Sequence, residues 1–128
     1  MTVTLKTGAL IGTDETTGQN ITGGTTFTGS EVDLFGNATS EGWLRLYLKY
    51  TDASSAGTID VSLFFSRVTG QSYQDQSSLV ASIVPVASTQ KIYLGDFQAS
   101  RYVTGKVSSN GGGNLTNVTL GYELYQES

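Results

Sequence analysis

Apolar and polar residues alternate with a period of two through most of this chain, and that pattern leaves little room for anything but β-structure. Residues 43–50 show it best: Leu44, Leu46, Leu48 and Tyr50 fall on one face, and Trp43, Arg45, Tyr47 and Lys49 on the other. No window keeps an apolar stripe at helical spacing across three turns, so no helix is expected. Gly, Asn, Asp and Ser punctuate the alternating runs, as turns between short strands require. The expected fold is all-β: an antiparallel β-sandwich, jelly-roll or Ig-like, with about eight strands. At 128 residues, one such domain buries roughly two-thirds of its unfolded surface and folds alone.

The candidate strands can be placed along the chain. Val3 and Leu5 alternate, and residues 8–24 are rich in Thr, Gly and Asn. Residues 1–24 therefore read as a short strand followed by a flexible arm, and residues 25–128 as the sandwich. Within the sandwich, residues 25–34 have Phe27 as their apolar anchor, and residues 58–68 turn Ile59, Val61, Leu63 and Phe65 inward. Residues 79–86 run into Pro85, the mark of an edge strand or a strand end. Residues 91–97 carry Ile92 and Leu94 inward, residues 102–108 follow, and residues 116–125 turn Val118, Leu120, Tyr122 and Leu124 inward. If residues 43–50 and 58–68 pair as a hairpin, Leu48 faces Val61, Leu44 faces Phe65, and Lys49 meets Asp60. A jelly roll sends many consecutive strands to opposite sheets instead.

The side chains that do most chemistry near neutral pH are missing. There is no histidine and no cysteine, and charged residues make up only 14% of the chain, against about a quarter in a typical protein. A serine nucleophile would need a Lys or carboxylate base, and Gly-x-Ser-x-Gly does not occur. The carboxylates Asp14 and Glu15, and Glu31 and Asp33, are close enough in sequence to suggest acid–base work or calcium ligation. They lack EF-hand spacing, and a sandwich of this size lacks a glycosidase cleft. Gly111, Gly112 and Gly113 follow Lys106 instead of preceding a Gly-Lys-Ser/Thr helix start, so they read as a hairpin loop and not a phosphate cradle. No catalytic residue, cofactor or metal is expected.

The remaining bulk features exclude partners. Zero cysteine suits a reducing compartment or a particle assembled in one. Seven Lys and Arg are scattered through a chain of net charge −4, so no basic stripe for nucleic acid is expected. Apolar runs reach only about four residues, too few to span a membrane, and residues 1–6 do not form a signal peptide. The sequons at Asn20, Asn37, Asn114 and Asn117 are the chance product of a Thr-rich chain. Trp43, Arg45, Tyr47 and Lys49 remain as the candidate interface. Aromatic residues beside Arg are enriched where protein interfaces are buried, and carbohydrate platforms use them too. The plainer reading is packing beneath a second layer, with the basic stems reaching water.

From Trp43 to Glu123 the chain resembles the small β-sandwich cement, or decoration, proteins of tailed-phage heads. A long strand pair (GWLRLYLKYTDASSAGTIDVSLFFSR) is followed by a polar loop and an apolar strand (SLVASIVPV). Then come KIYLGDFQASRYVTGKVSS, a Gly-rich loop and a closing strand, NLTNVTLGYELYQ. The resemblance covers about two-thirds of the chain and rests on strand order and style. It implies a structural protein that binds the major capsid protein on the outer head surface. Such a protein is made in the host cytoplasm, often forms homotrimers and bridges capsomers. The alternative is a carbohydrate- or receptor-binding module of a phage tail or fibre, which would present Trp43 and Tyr47, or Tyr73 and Tyr102, as an aromatic ledge. Another virion component is a third reading.

Overall fold

The structure, a computed structural model, describes residues 2–13, 17–35, 42–51, 58–66, 77–84, 90–111 and 113–127. These form ten strands: β1 (Thr2–Ile11), β2 (Gln19–Ile21), β3 (Thr26–Thr28), β4 (Val32–Asp33), β5 (Gly42–Tyr50), β6 (Ile59–Ser66), β7 (Ser77–Ile83), β8 (Gln90–Ala99), β9 (Tyr102–Ser109) and β10 (Leu115–Glu127). Among the described residues there is no helix, and hence none long and apolar enough to cross a membrane.

The strands make two antiparallel sheets. One runs β1-β10-β5-β8, with β2 also on β10; the other runs β3-β9-β6-β7, with β4 also on β9. Count β3 and β4 as one broken strand and set β2 aside: the eight that remain follow jelly-roll order, each passing to the opposite sheet except β6 to β7. The hairpin expected between residues 43–50 and 58–68 does not form, because β5 and β6 lie in opposite sheets. Lys49 faces Thr119 and Lys91, while Asp60 faces Ser82 and Ser108. Either arrangement turns the same apolar residues inward, so alternation alone cannot separate them; long-range pairing does.

The core lies between the sheets. Leu44, Leu46, Leu48 and Tyr50 of β5 and Leu120, Tyr122 and Leu124 of β10 meet Ile59, Val61 and Leu63 of β6 and Val103 and Val107 of β9. Phe65, Ile92, Leu94 and Phe97 pack against this cluster half-buried. No buried side-chain nitrogen or oxygen among the described residues lacks a hydrogen-bond partner.

The N-terminal quarter departs from expectation. Residues 8–24 are not simply a loop or arm. β1 pairs along β10 from Thr2 to Ile11, β2 pairs with β10, and Leu10, Ile11 and Ile21 are buried. Gly8 makes this possible: a β-carbon there would collide with the Tyr122 ring, which lies across it. The strand expected over residues 25–34 is broken at Gly29. Its amide donates to the Gly105 carbonyl at 2.9 Å, and its α-carbon abuts the Leu10 carbonyl too closely for a side chain. As expected, β7 is an edge strand, paired among the described residues only with β6; Pro85 lies outside the described residues. The glycine run does not close a hairpin, since β9 and β10 belong to different sheets.

Candidate functional site: the outer face of the β5 sheet

Trp43, Arg45, Tyr47 and Lys49 all lie on the solvent side of β5, opposite its buried leucines. Their cross-strand partners complete a face that spans β10, β5 and β8. Trp43 stands between Tyr125 and Gln98, Arg45 between Glu123 and Asp96, Tyr47 between Gly121 and Tyr93, and Lys49 between Thr119 and Lys91. Trp43 is 39% exposed and Tyr93 58%, two of the few large hydrophobic side chains that the described surface leaves open.

A β-bulge in β8 sets up the centre of this face. The register slips between Leu46 and Tyr47, so Gly95 pairs with Leu46 and Tyr93 with Tyr47, with Leu94 the extra residue. Gly95 has φ 137°, a conformation that favours glycine. Without the extra residue, strict alternation would send Tyr93 outward and Asp96 inward. With it, both reach the outer face, as bulges commonly re-aim a side chain.

Arg45 is the hub. Its Nε donates to Asp96 Oδ1 at 3.2 Å, and its Nη1 lies 3.8 Å from Glu123 Oε2. The guanidinium sits 5.2 Å from the Tyr125 ring centre and 5.8 Å from that of Tyr93. Hydrogen bonding to Asp96 raises the Arg45 pKa, so the guanidinium stays charged. Hydrogen bonding to Asp96 also raises the Tyr93 pKa, with partial desolvation adding to it. Partial burial pushes the Asp96 carboxyl upward, but hydrogen bonds from Tyr93, Tyr125 and Arg45 outweigh it and leave the pKa lowered. Exposed ion pairs of this kind contribute little to stability. Their larger effect is to hold the Arg45 plane and two tyrosine rings in fixed positions.

Beside this hub the surface dips. Gly8, Ala9 and Thr7 of β1, and Thr119, Tyr122 and Glu123 of β10, line a depression of about 330 Å³ bordered by Tyr47 and Lys91. A side chain at Gly121 would overlap the Tyr47 ring, so this ring lies flat over the β10 backbone. Lys91 Nζ sits 4.5 Å from the centre of that ring, within the range of a cation–π contact.

The other sheet presents a different outer surface. Thr26 and Ser108 share a hydrogen bond of 2.7 Å, Ser82 donates to Asp60 at 2.7 Å, and Asn110 donates to Asp60 at 2.6 Å. Phe64 is buried there beneath the Lys106 stem, whose ammonium is 4.6 Å from the ring centre. Tyr102 lies under the Arg101 guanidinium at 4.9 Å, and Tyr73 is outside the described residues.

The other sequence candidates take structural positions or lie beyond description. Asp33 is gripped by Arg101 through two bonds of 3.1 and 3.0 Å, which raises the arginine pKa. Asp14 and Glu15 are outside the described residues. Among those described, no group of three His, Cys, Asp or Glu could hold a metal. Three sequon asparagines brace the backbone: Asn117 accepts from Gly18 N–H at 2.5 Å, Asn20 from Asn117 N–H at 3.0 Å, and Asn114 from Gly23 N–H at 2.8 Å. Asn37 lies outside the described residues.

Tyr93, Asp96, Glu123, Tyr125 and Lys91 belong to the face but were not singled out from the sequence. For Asp96 a signal existed: a Gly-Asp step inside an alternating run marks a bulge. For Glu123 and Tyr125 none did, because membership depends on which strands flank β5. The fold and this face define the chain as a β-sandwich with one aromatic, charge-braced sheet surface. No protein-family model matches the chain, and no curated protein matches it either.

Proposed function

We propose that this chain is a non-enzymatic capsid decoration protein, which binds the major capsid protein on the outer head surface and bridges capsomers. The observation that carries this reading is the contrast between the two sheet surfaces. One links short hydroxyl, amide and carboxylate groups to each other by hydrogen bonds and keeps its Phe64 buried beneath the Lys106 stem. The other gathers Arg45, Asp96, Tyr93 and Tyr125 into one contact cluster, with Trp43 exposed at the position opposite Tyr125. Tryptophan, tyrosine and arginine dominate the energy of protein interfaces, and pre-ordering them lowers the entropy lost on binding. The resemblance in strand order and the absence of His and Cys support the same reading. Acting as a homotrimer, the protein would gain from several small contacts on a fixed lattice, which together hold far more tightly than any one alone.

Co-sedimentation with empty heads of the phage that carries the gene tests this reading. Wild-type protein should saturate a fixed number of sites, and Trp43→Ala should weaken binding at least tenfold while remaining folded. Failure of folded wild-type protein to bind heads overturns the reading. Jelly rolls also occur in lectins, and exposed Trp43 and Tyr93 favour a glycan-binding alternative. Glycan-array binding by a chain that ignores heads would establish that alternative instead.

A further inference from the structure

Asn110 and Gly111 form the chain's single Asn-Gly pair, placed where β9 runs into the glycine-rich loop before β10. Asn110 is exposed, and hydrogen bonds hold it on both sides of its Cα. Its backbone amide donates to the Thr58 carbonyl at 2.9 Å. Its side-chain nitrogen donates to Thr58 Oγ1 at 3.0 Å and to Asp60 Oδ2 at 2.6 Å. Asp60 accepts through its other oxygen from the Ser82 hydroxyl at 2.7 Å. One carboxylate therefore staples β6 to β7 and to the start of the loop. The Ser109 hydroxyl donates to the Gly113 carbonyl at 2.9 Å, which fastens the loop on its far side. Within this frame sits a chemically reactive pair. Glycine has no β-carbon to obstruct its own nitrogen, and its wide φ/ψ range lets that nitrogen turn toward the preceding side chain.

We propose that Asn110–Gly111 is a self-modification site, at which Asn110 loses its side-chain amide and the Asp60 staple is released. The inference is independent of the decoration reading. The Gly111 backbone nitrogen attacks Asn110 Cγ. A bond forms between Gly111 N and Cγ, the Cγ–Nδ2 bond breaks, and the amide leaves as ammonia with the proton given up by Gly111 N–H. Water then opens the cyclic imide at either carbonyl and leaves aspartate or isoaspartate at position 110. Both products carry a carboxylate where Asn110 carried a donor, and an ionised carboxylate only accepts. Asp60 thus exchanges its 2.6 Å donor for a like charge. Isoaspartate also inserts a methylene into the main chain beside the Asn110–Thr58 bond. The staple sets the pace as well: while Asp60 and Thr58 hold Nδ2, rotation of the side chain is restrained, and reaction waits on local opening.

The test incubates the intact folded chain in mildly alkaline buffer at body temperature. Peptide mass spectrometry follows each asparagine, and enzymatic methyl labelling counts isoaspartate. Asn110 should convert before Asn20, Asn37, Asn114 and Asn117, but more slowly than in a free peptide of residues 107–114. Asp60→Ala should speed conversion about fivefold or more, and Gly111→Val should nearly stop it. Thr58→Val, which removes the other acceptor of Nδ2, should also speed conversion and keeps the test open if Asp60→Ala fails to fold. Asn110→Asp, which stands in for the product, should melt below Asn110→Ala, because repulsion from Asp60 adds to the lost bond. Conversion of another asparagine ahead of Asn110 overturns the proposal. So does a folded Asp60→Ala or Thr58→Val protein that reacts at the wild-type rate. An Asn110→Asp protein as stable as Asn110→Ala overturns the release of the staple.

Discussion

Asp96 orders the outer face of the β5 sheet because three donors converge on one carboxylate. Burial alone would raise its pKa, and the Tyr93, Tyr125 and Arg45 bonds more than reverse that effect. A carboxyl whose folded pKa is depressed adds stability above its unfolded pKa, near 4, and loses it as pH falls through the lower folded value. Asp96→Asn should therefore have a lower urea midpoint than wild type at pH 7, with the gap closing at pH 3. An equal gap at both values would mean that shape, not charge, is what Asp96 provides. Gly121 has the opposite character, since its value lies in lacking a side chain. Gly121→Ala puts a methyl group where the Tyr47 ring rests. Overpacking of that kind costs about 1–3 kcal/mol, and the ring must swing off the sheet. The variant should stay folded, with the Tyr47 ring resonances shifted.

The bulge in β8 is the element on which the face depends. Gly95 holds φ 137°, so Gly95→Ala should cost about 1–3 kcal/mol. If the strand escapes by realigning with β5, Asp96 turns toward the core and the Arg45 ion pair is lost. Loss of the Arg45–Asp96 contact in a crystal structure of the variant would confirm that escape; a preserved contact with the same stability loss would show that the bulge is held by its surroundings. The bulge also explains what the sequence could reveal of this face. β5 was legible because every residue from Gly42 to Tyr50 obeys strict alternation, and its buried and open sides follow directly. The inward faces of β6 and β10 were legible for the same reason. Asp96 could be read only by taking Gly95 as the mark of a bulge, because one inserted residue reverses the parity of everything after it. Lys49 was misassigned to Asp60 because alternation fixes which way a side chain points but says nothing about which strand lies beside it.

At the scale of the whole molecule, the N-terminal quarter decides between two pictures of how the protein is built. Its Thr, Gly and Asn content suggested an arm, since such composition buries little apolar surface. Yet Leu10, Ile11 and Ile21 are buried, and β1, ten residues long, closes one side of its sheet along β10 from Leu120 to Glu127. The polar residues between are used locally: Thr13 donates through its amide and hydroxyl to the Thr17 carbonyl, and Asn20 accepts from Asn117. Asn117 itself has φ 57°, and it ties the start of β10 to Gly18 and to Thr51 at 3.2 Å. Removing residues 1–24 would uncover β10 along its length and empty three core positions at once, where single large-to-small changes already cost about 2–5 kcal/mol. Marginal stability of roughly 5–15 kcal/mol does not survive that loss. The truncated chain should show no cooperative thermal transition and collapsed amide dispersion, whereas an arm that orders only on a partner would leave the melting temperature within a few degrees of wild type. Leu10→Ala, a milder change at the same seam, should still fold, with a urea midpoint lowered in proportion to about 2–5 kcal/mol. If both proteins melt like wild type, β1 is a detachable strand, and residues 1–24 regain the reach toward a neighbouring subunit that an arm would have.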